Sequence, residues 1–236
     1  MDEQLFTLSG ENWDLQELAF SFRDGPATVK KIEDVFYLCL EMETGRSEEE
    51  IHAAGETTLK QINGIRLARN EGFRPLKICG ITRLDPITGK IETCVKYQGP
   101  AELRARGRGT LTVGESDGTE NKGPTEDQTA LRLAGKCEPL RRTQIFYGSL
   151  KQHDWVNLYK VLEAMEDGNG GEAGLVAKHF VPHGEIKKFK ETAQIYRHGS
   201  NAKGTAKPKM TWEQAQAMFR KLFQGWTQEL KDRDGE

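Results

Sequence analysis

The sequence predicts an α+β fold, an N-terminal sheet with a packed helix followed by an α-helical C-terminal half. Three observations carry that expectation. Runs with the two-residue apolar period of strands lie in the N-terminal part, helical stripes behind capping signals fill the C-terminal part, and a glycine-rich stretch separates them. Val35-Phe36-Tyr37-Leu38-Cys39-Leu40-Glu41-Met42 is a β-prone run suited to a central strand. Ser47-Glu48-Glu49-Glu50 forms a capping box, and Ile51, Ala54, Thr58, Ile62 and Ile65 follow at helical spacing, so a helix of about twenty residues is expected to cross one sheet face.

A hairpin is expected next. Leu76, Ile78, Gly80, Thr82 and Leu84 share one strand face, Ile91, Thr93, Val95 and Tyr97 share another, and Asp85-Pro86-Ile87-Thr88-Gly89 supplies the turn. With Asp85 to Thr88 as the loop, Ile78 meets Val95, Leu76 meets Tyr97, and Cys79 lies opposite Cys94. Gly107, Gly109, Gly114, Gly118 and Gly123 then fall among Ser, Thr, Asp and Asn, marking a linker or long loop over about 107–125. The chain therefore divides into an α+β portion, 1–115, and a portion of four or five helices, 116–236.

Within that second portion, Thr125-Glu126-Asp127-Gln128 is another capping box, and Pro139 suits a first helical turn. Asp154 caps a helix striped by Trp155, Leu158, Leu162 and Met165, which Asp167-Gly168-Asn169-Gly170-Gly171 ends. Glu185 to Arg197 reads as a further helix, with Ile186, Phe189, Ala193 and Tyr196 on its core face. The last helix starts at the capping box Thr211-Trp212-Glu213-Gln214 and buries Ala215, Met218, Phe219, Leu222, Trp226 and Leu230.

The chain has 236 residues, 34 Lys+Arg against 36 Asp+Glu and a net charge of −2, which excludes a uniformly basic nucleic-acid coat and an acidic tail protein. Its longest apolar run, Val35 to Leu40, is far short of the roughly 20 residues that span a bilayer. The opening Met1-Asp2-Glu3 lacks the basic and apolar regions of a secretory signal, so a cytoplasmic location with no membrane partner is expected. Cys39, Cys79, Cys94 and Cys137 form no C-x-x-C pair and are expected as free thiols. No cofactor and no metal are expected.

Charge is unevenly placed. From 178 to 209, Lys178, Lys187, Lys188, Lys190, Arg197, Lys203, Lys207 and Lys209 face only Glu185 and Glu191, which leaves the rest of the chain at −8. Interleaved with Phe180, Phe189 and Tyr196, this segment is suited to hold the phosphates of a polyanion, RNA or DNA. A solvated helix face that pairs with acids elsewhere gives the same pattern. Arg104, Arg106 and Arg108 alternate, so on a strand they project together, either toward a phosphate or partner carboxylate or as the charged guard of an exposed edge.

Two short motifs touch known chemistry. Tyr196-Arg197-His198-Gly199 resembles the Arg-His-Gly element of histidine phosphatases, which implies a histidine that accepts a phosphoryl group beside an arginine; that family has a second histidine downstream, and none follows His198 here. Arg46 and His52 have a spacing similar to the Arg-x(4–6)-His element of HEPN-type ribonucleases, which implies metal-independent RNA cleavage at a dimer interface. His179 and His183 have the spacing of a helical metal pair, and Pro182 works against it. No phosphate-binding glycine loop, dinucleotide fingerprint, nucleophile elbow or H-E-x-x-H is present.

The leading expectation is a binding or accessory protein that contacts a polyanion through Lys187, Lys188, Lys190, Arg197, Lys203, Lys207, Lys209 and the arginine trio. The alternatives are a metal-independent hydrolase such as a ribonuclease, with Arg197 and His198, or the Arg46/His52 pair, as electrostatic stabiliser and general acid-base, and an adaptor that binds a protein partner or itself.

Overall fold

The computed structural model describes residues 2–84, 91–96, 123–198 and 207–235. The protein is α+β. Its elements are β1 (Asp2–Ser9), α1 (Asn12–Ser21), β2 (Ala27–Ile32), β3 (Val35–Met42), α2 (Glu48–Arg69), β4 (Lys77–Leu84), β5 (Ile91–Lys96), α3 (Glu126–Lys136), α4 (Glu138–Gly148), α5 (Trp155–Gly168), α6 (Gly171–Ala177), α7 (His183–His198) and α8 (Trp212–Asp234).

The strands form one antiparallel sheet in the order β2-β3-β1-β4-β5. β1 holds the middle place and β3 lies beside it, interior as its apolar composition requires. Phe6 pairs with Leu38 on one side and Ile81 on the other, and these three side chains face the main core. Leu5, Tyr37 and Cys39 form a smaller cluster on the opposite face.

The hairpin register differs from the sequence expectation. Val95 pairs with Ile81 rather than Ile78, and Leu84 pairs with Ile91. β4 continues to Leu84, so the connection is wider than a four-residue loop, and a bulge between Ile81 and Thr82 adds a further step. Cys79 therefore does not oppose Cys94; its thiol donates to the Thr7 carbonyl at 3.5 Å. A second irregularity, where β1 passes from Thr7 to Leu8, ends the single face expected over 76–84. Ile78 and Ile81 both enter the core, while Thr82 meets Thr7 on the other side at 3.3 Å. The turn at 85–89, Tyr97 and the glycine-rich stretch to residue 122 lie outside the described residues.

α2 lies across the sheet with Gly55 against the Phe6 ring, as its apolar stripe predicts. Its other flank packs on α4, so sheet and helices share one continuous core running from Phe6 to Trp226. All three capping boxes form, at Ser47/Glu50, Thr125/Gln128 and Thr211/Gln214. Asp154 caps α5 through the Asn157 amide at 3.2 Å. Gly170 and Gly171, at φ of 79° and 86°, turn the chain sharply after α5 in a conformation that costs glycine little. The short α6 follows, so that α3 to α8 make six helices among the described residues of the C-terminal portion, where the sequence suggests four or five.

Candidate functional site

The basic segment spans α7 and the approach to α8. α7 turns Ile186, Phe189 and Ala193 inward, so Lys187 and Lys188 point to solvent. The returning chain is tied to it by Thr192, whose buried hydroxyl donates to the Lys188 carbonyl at 2.8 Å and accepts the Lys209 amide at 3.0 Å. Thr192→Val removes both bonds at nearly constant volume and strands a backbone donor. It is expected to lower stability by about 1 kcal/mol, read from the urea midpoint.

The lysines divide into two groups. Lys178 pairs with Glu229, and Lys190 sits between Glu166 and Glu172 at 2.8 Å from each. Burial works against the Lys190 charge, yet the hydrogen bonds to both carboxylates outweigh it and hold its pKa above the usual lysine value. These two cations serve the fold. Lys209 contacts Glu191 at 2.5 Å but stays mostly exposed, and that contact holds Glu191 below the usual carboxylate range. Lys188 and Lys207 are exposed, and Lys187 is exposed beside Glu191, one turn along α7.

Two grooves meet at Lys209. The larger, of about 580 Å³, is lined by His153, Trp155, Tyr196, Lys207, Lys209 and Trp212, and Glu213 is its acid. The other, about 270 Å³, brings Lys188, Lys209 and Lys221 together with Glu185. Both include Met210 and Gln214, so they form one continuous face between α7 and the start of α8.

Tyr196 departs from expectation. Its spacing puts it with the core stripe of α7, but the residue is 49% exposed because it lies at the end of the helix where the inward face runs out over α5. Its ring lies flat on Trp155, with a centroid distance of 5.1 Å and planes 2° apart, and Trp155 in turn stacks on Phe189 at 6.0 Å. Trp212 meets the edge of Trp155 at 5.4 Å, and His153 packs on Trp212 at 5.6 Å.

The Arg197 guanidinium lies over the Tyr159 ring at 5.6 Å. His198 ends α7, and its side chain lies outside the described residues, as do Lys203, Arg104, Arg106 and Arg108. Arg46 pairs with Glu43 at 3.3 Å ahead of α2, while His52 is half-buried on that helix. His179 occupies a turn at φ 56° and His183 opens α7, so the two share no helix face. No metal-ligating cluster occurs among the described residues. No helix among them is long and apolar enough to cross a membrane.

Sequence reasoning missed Lys221, His153 and the role of Trp212. Lys221 joins Lys188 only through the packing of α8 on α7, which leaves no local pattern; His153 carries a weak signal as the residue before the Asp154 cap. No family model, curated protein or solved structure matches the chain.

Proposed function

We propose that the protein is a cytoplasmic binding protein that holds a polyanion, with nucleic acid as the leading class, on the α7–α8 face. The observation that carries this reading is the convergence of Lys188, Lys207, Lys209 and Lys221 on two joined grooves. Cations gathered along one path neutralise successive phosphates and release their counterions, whereas cations scattered over a surface do not. The free thiols of Cys39, Cys79 and Cys137 accord with a reducing compartment.

The test is fluorescence anisotropy of a labelled oligonucleotide, repeated over a salt series. The triple variant Lys188/Lys207/Lys221→Ala is expected to bind at least about tenfold more weakly at low salt. Its slope of log K against log salt is expected to fall by about 2, near 0.7 for each phosphate contact removed from a single strand. An unchanged slope, or no binding by the native chain, defeats the reading. Cleavage of the bound oligonucleotide that disappears in His198→Ala would move the assignment to a hydrolase.

A further inference from the structure

We propose that this face takes single-stranded rather than duplex nucleic acid, with one unpaired base laid on the Tyr196 ring and the adjoining phosphates on Lys207 and Lys209. The proposal rests on the polyanion reading above and names its substrate class.

Phe189 is fully buried and Trp155 is 4% exposed, so the inner rings are fixed in the core. Tyr196 lies parallel on Trp155 with about half its surface open, which makes it the outermost ring of a pile whose lower members cannot move aside. A ring held in that way loses little freedom when another flat group covers it, and every base has a flat face to offer. Bases inside a duplex already have neighbours above and below, so apart from an end pair a duplex has no face to lay on Tyr196, whereas every unpaired base has one.

The charges around the ring give direction. Lys207 and Lys209 line the same groove as Tyr196, and Lys209 continues toward Lys188 and Lys221. Glu213 lines it as well, held ionised below its usual range by its own amide and the Thr211 hydroxyl. A phosphate path that avoids Glu213 runs along the two lysines. His153 adds a polar wall: at φ 60° its backbone sits in a region costly for a residue with a side chain, and the imidazole is held against Trp212 at the groove.

A proline-rich peptide is the competing occupant of an aromatic groove. Such grooves use several open rings side by side. Here Trp155 and Trp212 are 4% and 6% exposed, so that among the described residues the groove offers the Tyr196 ring and the exposed His153 imidazole and no row of open tryptophans, while the flanking lysines suit phosphates.

The experiment uses the full chain with a labelled thymidine strand of about twelve nucleotides, the same strand paired into a duplex, and a proline-rich peptide. The single strand is expected to bind about tenfold more tightly than the duplex at equal salt and to quench tryptophan fluorescence through Trp155. Tyr196→Ala is expected to lose about tenfold in affinity with an unchanged salt slope, while Tyr196→Phe keeps native affinity. Wild-type quenching tests the stack even if Tyr196→Ala is destabilised. Equal binding of strand and duplex, without quenching, overturns this proposal and leaves the electrostatic reading standing. Failure to bind either form overturns both. Peptide-induced quenching that the single strand does not displace overturns the base-stacking assignment.

Discussion

Asp127→Ala is expected to lower the unfolding free energy by about 3 kcal/mol, the lower end of the range for breaking a buried ion pair. Arg66 is buried near the end of α2, where its guanidinium donates to Asp127 at 2.7 Å and to the Ser21 hydroxyl at 3.3 Å, pairs with Glu17 and lies 5.8 Å from the Phe73 ring centre. Burial opposes the Arg66 charge, and the bonds to Asp127 and Glu17 outweigh that opposition, so its pKa is raised. Asp127 also meets the Arg69 Nε at 2.9 Å. Removing its carboxylate leaves the buried Arg66 guanidinium with the Glu17 carboxylate and the neutral Ser21 hydroxyl, one charge where it now has two. The double variant Arg66→Met/Asp127→Leu removes both charges and is expected to lose clearly less than Asp127→Ala alone. Urea unfolding with an unchanged m-value measures both. A loss below about 1 kcal/mol in Asp127→Ala would show that the pair is solvated.

Gly148→Ala should cost about 3 kcal/mol, the upper part of the range for overpacking. α2 and α4 approach at backbone level: a Cβ on Gly148 would stand 1.8 Å from the Lys60 carbonyl oxygen and 2.7 Å from the Gly64 nitrogen. A Cβ on Gly64 would stand 2.1 Å from the Gln144 carbonyl oxygen. Neither obstacle is the end of a flexible side chain, so the helices must separate. Separation would also stretch the buried Gln61–Gln144 hydrogen bond, now 3.2 Å. Gly135→Ala is the control, because a Cβ there meets nothing within 4 Å. In that helical setting alanine is expected to add up to about 1 kcal/mol. Equal thermal midpoints for the two variants would contradict the close crossing.

The parts of the fold that were legible in the sequence are those with short-range causes. Each capping box needs only a hydroxyl and an acid or amide three residues apart, and all three form where that pattern occurs. α1 carries no such signal: Glu11 makes no side-chain cap, and Trp13 and Phe20 are exposed opposite the buried Leu15 and Leu18, which blurs the stripe. The β4–β5 register differs because β5 starts pairing only at Ile91, beyond the loop that Asp85 to Thr88 suggests, and because the bulge at Ile81/Thr82 has no period of its own. For the site, the sequence located the concentration of cations but not their partners. Lys178 and Lys190 are engaged by Glu229, Glu166 and Glu172, acids brought near by folding, and Lys221 enters the face from outside the basic segment. Tyr196 fits a core spacing, yet helical phase alone cannot say where the core ends.

α2 has a further consequence for anyone dissecting this chain. One flank supports the sheet and the other meets α4 through bare backbone, so a fragment cut ahead of Thr125 would carry Gly64, Gln61 and their neighbours into water with nothing to shield them. A piece lacking the first strands would instead leave Gly55 without its Phe6 cushion. Either half, produced by itself, inherits an unfinished seam.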